Sequence, residues 1–255
     1  NPNNTPSSMN DIYMHPSDSN TLWVATNSGL FKSIDAGDNW TNNQVGNIKD
    51  VKIKPGDPST IYIVTNNKFY KSTDSGDTFV QNITGLPLTS GRFVIDVTIA
   101  NSEYVYILSS STANVYQGLY KSIDGGETFT KTSNTFDILE NTQSWYDLSL
   151  AVSDLNADEV YVGCLNIWKS SNGGDSFLKL NNWFQHDLAF THADVHYLRF
   201  FNNELFVGTD GGFYKSIDKG ITFQDYTQGM QIGQFYRISV AKNNASKMAG
   251  GLQDN

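Results

Sequence analysis

Cysteine, long apolar runs and positive charge are all scarce in this chain. One cysteine, Cys164, occurs in 255 residues, so no intrachain disulfide can hold the fold, and in the apolar run EVYVGC it is expected to be a small buried hydrophobe. No apolar stretch is long enough to cross a membrane or serve as a signal peptide. With 17 Lys and Arg against 26 Asp and Glu, the net charge is −9. The lysines recur mainly at one repeated position, and phosphate binding needs a basic stripe, which argues against nucleic acid as a partner. Only 17% of residues are charged, amid abundant Asn, Ser, Thr and Gly. That composition points to an exported bacterial protein, secreted or at the cell surface.

What is present is repetition. An octapeptide of the form Ser-x-Asp-x-Gly-x-Thr-Phe occurs five times, as SIDAGDNW from Ser33, STDSGDTF from Ser72, SIDGGETF from Ser122, SSNGGDSF from Ser170 and SIDKGITF from Ser216. Copies about 40 to 50 residues apart have the period of propellers and arrays. Before each lie an alternating strand, a polar turn, and two runs of β-branched and aromatic residues such as TIYIVTN and KFYKS. Alternation bounded by Gly, Asn, Asp and Pro marks strands, and four strands per repeat make a propeller blade. The octapeptide reads as a hairpin corner. Its Asp or Asn bonds nearby backbone N–H groups, Gly supplies positive φ, and the last aromatic returns to the layer between blades.

The expected fold is all-β, a single β-propeller over residues 1–255 with five full four-stranded antiparallel blades and a partial sixth. The sixth begins with FYRISVAKN and MAGGLQDN. The chain opens on Asn1 and stops inside that repeat, so the expectation is a piece of a longer propeller or multidomain chain.

In a propeller, turns joining first to second and third to fourth strands share one face, which the octapeptides occupy. Function is therefore expected on the other face, among second-to-third turns and blade-to-blade segments. There, FQHDLAFTHADVHYLRF carries His192, Asp194 and His196 at alternate positions, which in an extended segment point to one side. Such a set suits a divalent metal such as Zn, Mn, Fe or Ni, or polar side chains bonding across a wet channel. Nearby turns supply Asp210, Gln253, Asp254 and Asn255, and blade-to-blade segments supply Gln234 and, for stacking on sugar rings or for packing, Trp145, Tyr146 and Trp183. Asp194 and Asp210 are the candidate acid and base for glycoside hydrolysis.

The octapeptides resemble the Asp-box, or BNR repeat. The segment HADVHYLRF…GTDGGFYKSIDKGITF…GGLQDN is similar to sortilin-like and xyloglucanase-like glycosyl hydrolase BNR-repeat proteins exported by Bacteroidetes. The resemblance implies a fold and not one activity. Sialidases of this type need an arginine triad, and only Arg92, Arg199 and Arg237 exist here without an Arg-Ile-Pro motif. Xyloglucanase-type catalysis draws its aspartates from two propellers. The expected function is thus a propeller binding extracellular polysaccharide or glycan, or a surface protein, as an adhesin module. The alternatives are a xyloglucanase-type glycoside hydrolase and a protein-interaction scaffold.

Overall fold

Each repeat folds as four antiparallel strands because its apolar positions alternate or cluster in runs of β-branched and aromatic residues bounded by polar turns. A computed structural model describes residues 6–230, and the backbone of residues 235–241 and 244–252. Blade one is β1 (Met9–His15), β2 (Asp18–Thr26), β3 (Gly29–Ser33) and β4 (Thr41–Val45). Blade two is β5 (Asp50–Lys54), β6 (Asp57–Val64), β7 (Phe69–Ser72) and β8 (Val80–Asn82). Blade three is β9 (Arg92–Thr98), β10 (Asn101–Ser110), β11 (Tyr116–Ser122) and β12 (Thr130–Lys131). Blade four is β13 (Ser149–Val152), β14 (Val160–Gly163), β15 (Ile167–Ser170) and β16 (Leu178–Lys179). Blade five is β17 (Val195–Phe201), β18 (Glu204–Thr209), β19 (Gly212–Ser216) and β20 (Gln224–Asp225).

Strand order within every blade follows the chain, and first strands of successive blades neighbour one another around a propeller ring. A further antiparallel pair, β21 (Phe235–Ala241) and β22 (Asn244–Leu252), follows. Among the described residues there is no helix, hence none long and apolar enough to cross a membrane.

Among the described residues the core forms four apolar layers, one at each junction between blades one to five. Cys164 is buried in the layer between blades three and four. All five octapeptides adopt one hydrogen-bonded form. In the third copy, Ser122 Oγ donates to Asp124 Oδ1 at 2.6 Å and accepts from Gly126 N at 2.9 Å, while Thr128 donates its N–H and hydroxyl to the two oxygens of Asp124. Burial opposes ionisation of Asp124, but these donors outweigh it and bring its pKa down to about 2. Asn172 fills the same place in the fourth copy with equivalent bonds.

Residues four and five of each octapeptide both take positive φ, as in Ser75 (59°) with Gly76 (80°) and Lys219 (63°) with Gly220 (84°). The fifth position needs glycine for a second reason. A Cβ on Gly126 would lie 2.9 Å from Phe69, on Gly174 2.4 Å from Leu119, and on Gly76 2.8 Å from Trp23, each in the preceding blade. Gly37, in blade one, meets only its own Trp40 at 3.5 Å. Trp40 is correspondingly 40% exposed, whereas Phe79, Phe129, Phe177 and Phe223 join the layers between blades. The expected return of the last aromatic to the core therefore fails in blade one, where no described blade precedes it.

The repeated lysine completes the junction. It pairs across the sheet with the aromatic of the second strand, as Tyr62 with Lys71 and Tyr106 with Lys121; Lys32 and Lys71 reach the next octapeptide, whereas Lys121 reaches Asp158 in another turn of the next blade. Lys32 meets Asp77 at 2.8 Å, Lys71 meets Glu127 at 2.6 Å, and Tyr62 Oη donates to Gly125 O. Closer to the axis, Asp11, Asp50 and Asp96 accept the backbone N–H of Val51, Ile95 and Val152 in the next blade at 3.3, 3.1 and 2.8 Å. Burial raises Asp50 to about 7 and Asp96 to about 6. Lys52 is buried too, yet Asp50, Asp11 and Asp96 keep it charged.

Gly126→Ala is expected to destabilise the protein by about 3 kcal/mol, from the left-handed φ and overpacking combined, and Gly37→Ala by only about 1 kcal/mol. Urea melts of the two variants compare them. Equal losses would show that turn geometry alone demands glycine there.

Candidate functional site at the channel mouth

The first strands all start on the face opposite the octapeptides, and the side chains there join blade-to-blade segments to second-to-third turns. Trp183 N donates to Asn166 Oδ1 at 2.9 Å, and Ser144 Oγ donates to Asn114 O at 3.0 Å. Tyr146 Oη, from the segment between blades three and four, donates to Asp210 Oδ2 at 2.8 Å in the turn of blade five. Asp210 Oδ1 lies 2.6 Å from His196 Nε2, and the Tyr146 and His196 rings meet edge to face with centroids 4.7 Å apart.

The extended geometry expected for His192, Asp194 and His196 is not what forms. Strand β17 begins only at Val195, and Asp194 sits at φ 61°, so the segment bends before the strand. Within β17 the register then shifts between Val195 and Tyr197, leaving His196 as an inserted residue. A bulge of this kind re-aims a side chain, and here it delivers His196 to Asp210. Asp194 instead takes a hydrogen bond from Gln143 Nε2, and His192 Nδ1 lies 3.1 Å from Ala193 O. A Cβ on Gly211 would strike the His192 ring at 2.3 Å, so that glycine is required by close approach. The three side chains turn to separate partners. Among the described residues no group of three or more His, Cys, Asp or Glu is placed to hold a metal ion, so this arrangement as it stands does not fit one shared divalent ion.

Sequence reasoning missed the residues that organise the mouth. Arg92, the first residue of β9, donates through Nη1 to the carbonyls of Ser144, Trp145 and Tyr146 at 3.3, 3.4 and 3.2 Å. That clamp fixes the segment bearing Trp145, 67% exposed, and Tyr146, 41% exposed, whose rings lie 5.6 Å apart. Gln143 bridges two acids, donating to Asp194 and, at 3.1 Å, to Asp147. Asp147 is fully buried and also accepts the Cys164 thiol. Burial pushes its carboxyl up to about 6, against the bonds from Gln143 and Cys164 and helped by the charge of Asp194. Burial and Asp210 likewise raise Asp194, against Gln143, His192 and His196. Position in ENTQSWYDL, beside the aromatic pair, was the available signal for Gln143 and Asp147; for Arg92 it was the rarity of arginine.

Trp183 is 43% exposed and packs edge to face on Phe184, in the segment between blades four and five. Gln234, Gln253, Asp254 and Asn255 lie outside the described residues.

Asp147 also sets a pH dependence. Its folded pKa exceeds the ordinary carboxylate value, so its contribution to stability is full below about pH 4 and is lost as pH rises through about 6. Asp147→Asn, which cannot ionise, is expected to flatten the decline over that window, read as urea midpoints against pH. An unchanged decline would remove Asp147 as its source.

No family model matches the chain, and no curated protein does. Solved structures do. An ancestral GH74 enzyme superposes with a TM-score of 0.69 at 18% identity, over 94% of this chain and 34% of its own. The GH74 enzyme of Niastella koreensis gives 0.64 at 18% identity, over 96% and 42%. YCF48 bound to D1 peptide gives 0.58 at 14% identity, over 97% and 77%. This chain therefore spans between a third and a half of the length of the GH74 enzymes it resembles. At such identities the likeness establishes the fold, and that fold is a β-propeller.

Proposed function

We propose that this chain is an exported Asp-box propeller module, secreted or on the bacterial cell surface and part of a longer protein, that binds extracellular carbohydrate at its channel mouth. The carrying observation is the Trp145–Tyr146 pair. Two exposed rings are held by backbone carbonyls on Arg92 and by the Tyr146 hydroxyl on Asp210, so little side-chain and loop freedom is left to lose on binding. Aromatic faces supply apolar area for the flat side of a pyranose, while His196, Asp210 and Asp194 supply partners for its hydroxyls.

A second reading, glycoside hydrolysis of xyloglucanase type, draws support from Asp194. Burial favours its protonated form, which is the property a general acid needs, and Asp210 is the accompanying carboxylate. The GH74 likeness agrees with this reading at the level of fold. Because those enzymes are more than twice as long as this chain, catalysis would draw on residues of a longer parent.

Calorimetric titration with neutral β-glucan and xyloglucan oligosaccharides tests the binding reading. Trp145→Ala is expected to lower affinity at least about tenfold, equivalent to about 1.4 kcal/mol, with the melting temperature unchanged because the indole is exposed. Full affinity in that variant would sink the platform. Sugar release that survives in the wild type but not in Asp194→Asn would move the assignment to the hydrolase.

A further inference from the structure

We propose that Lys49 and Arg92 form an anion subsite at the channel mouth, and that the group they take is the carboxylate of a uronic acid in an acidic glycan. The proposal deepens the carbohydrate reading above and rests on it.

Lys49 immediately precedes β5, and Arg92 opens β9, so both stand where the first strands of adjacent blades start, on the face of Trp145 and Asp210. Among the described residues, every other part-buried lysine is ion-paired: Lys32, Lys52, Lys54, Lys71 and Lys121, and equally those of blades four and five. The ammonium of Lys49 has neither an ion pair nor a hydrogen bond there. Arg92 has no ion pair either. Its hydrogen bonds run through Nη1 to three neutral carbonyls, and its buried Nε lacks a partner.

The acids nearest Arg92 are already engaged. Asp50 holds Lys52 and the Ile95 N–H, and Asp147 holds Gln143 and Cys164. Burial and the positive charge of Arg92 both push the Lys49 pKa down. Two partly desolvated, unneutralised cations in a chain of net charge −9 carry an electrostatic cost that an anion relieves.

The identity of the anion follows from what Arg92 touches. The same guanidinium grips the carbonyls of Trp145 and Tyr146, so Arg92 adjoins the aromatic platform, and Lys49 lies within range of the charge of Arg92. A uronic acid joins the two requirements in one residue, a pyranose face for the indole and a planar carboxylate for guanidinium and ammonium.

Isothermal titration with trigalacturonate and with neutral cellotriose tests this. The wild type is expected to bind the uronate at least tenfold tighter, with the advantage shrinking as sodium chloride is added. Lys49→Met should abolish most of that advantage, leave cellotriose affinity unchanged and hold or raise the melting temperature, since it removes an unpaired cation. Arg92→Lys, which keeps the charge, should lose less uronate affinity than Arg92→Gln. Equal affinity for both sugars in the wild type, or a Lys49→Met protein that melts lower with its uronate preference intact, would overturn the subsite while leaving the glycan reading standing. If neither sugar binds, the glycan reading fails and the subsite falls with it.

Discussion

The docking of the octapeptides of blades two to five against the preceding blade is the contact on which the rest of the structure depends. Two successive residues at positive φ turn the backbone tightly enough for a glycine to lie against an aromatic or aliphatic side chain of the neighbour, as Gly126 does on Phe69 and Gly174 on Leu119. Around that contact, the lysine and tyrosine of the earlier blade close on the acid and carbonyl of the later one. Polar atoms left by a sharp turn are thereby satisfied, and the apolar layer behind is sealed. The glycine contact and a lysine reaching across recur at the junctions of blades one to five, and on them sheets that share little beyond spacing stack.

That regularity frees the opposite face. Its blade-to-blade segments differ in length, from residues 46–49 to residues 132–148, and the longer ones are positioned by single contacts. Arg92 clamps one segment, Gln143 links Asp147 to Asp194, and a bulge in β17 brings His196 to Asp210. In the mouth, Lys49 and Arg92 belong to blades two and three and Asp194 and Asp210 to blade five and the segment before it, with Asp147 between them next to Arg92. Such a division suits a ligand that is itself asymmetric, with hydroxyls at one end and negative charge at the other.

The blades, their strand order, the burial of Cys164 and the scaffold role of the repeated lysines were legible because each rests on local chemistry written several times. The face that gathers the blade-to-blade segments opposite the octapeptides was legible from topology alone. The contacts within that face were not. His192, Asp194 and His196 alternate in the chain, yet Asp194 lies in the left-handed region and His196 is an inserted residue, so alternation carries no common direction. Likewise, nothing near Arg92 in the chain indicates that its partners stand more than fifty residues away, at Trp145 and Tyr146.

The sequence by itself determined the repeating unit, since turn chemistry, apolar alternation and the positive φ of the turn glycines act between residues a few positions apart. Only the tertiary structure decided which polar groups meet at the mouth, because those pairs come from different blades and depend on ring geometry, one bulge and one clamped segment. It also showed that Lys49, one lysine among many in the chain, is the part-buried one left without a counter-charge among the described residues. Neutralisation is a property of three-dimensional neighbours, and no local pattern records its absence.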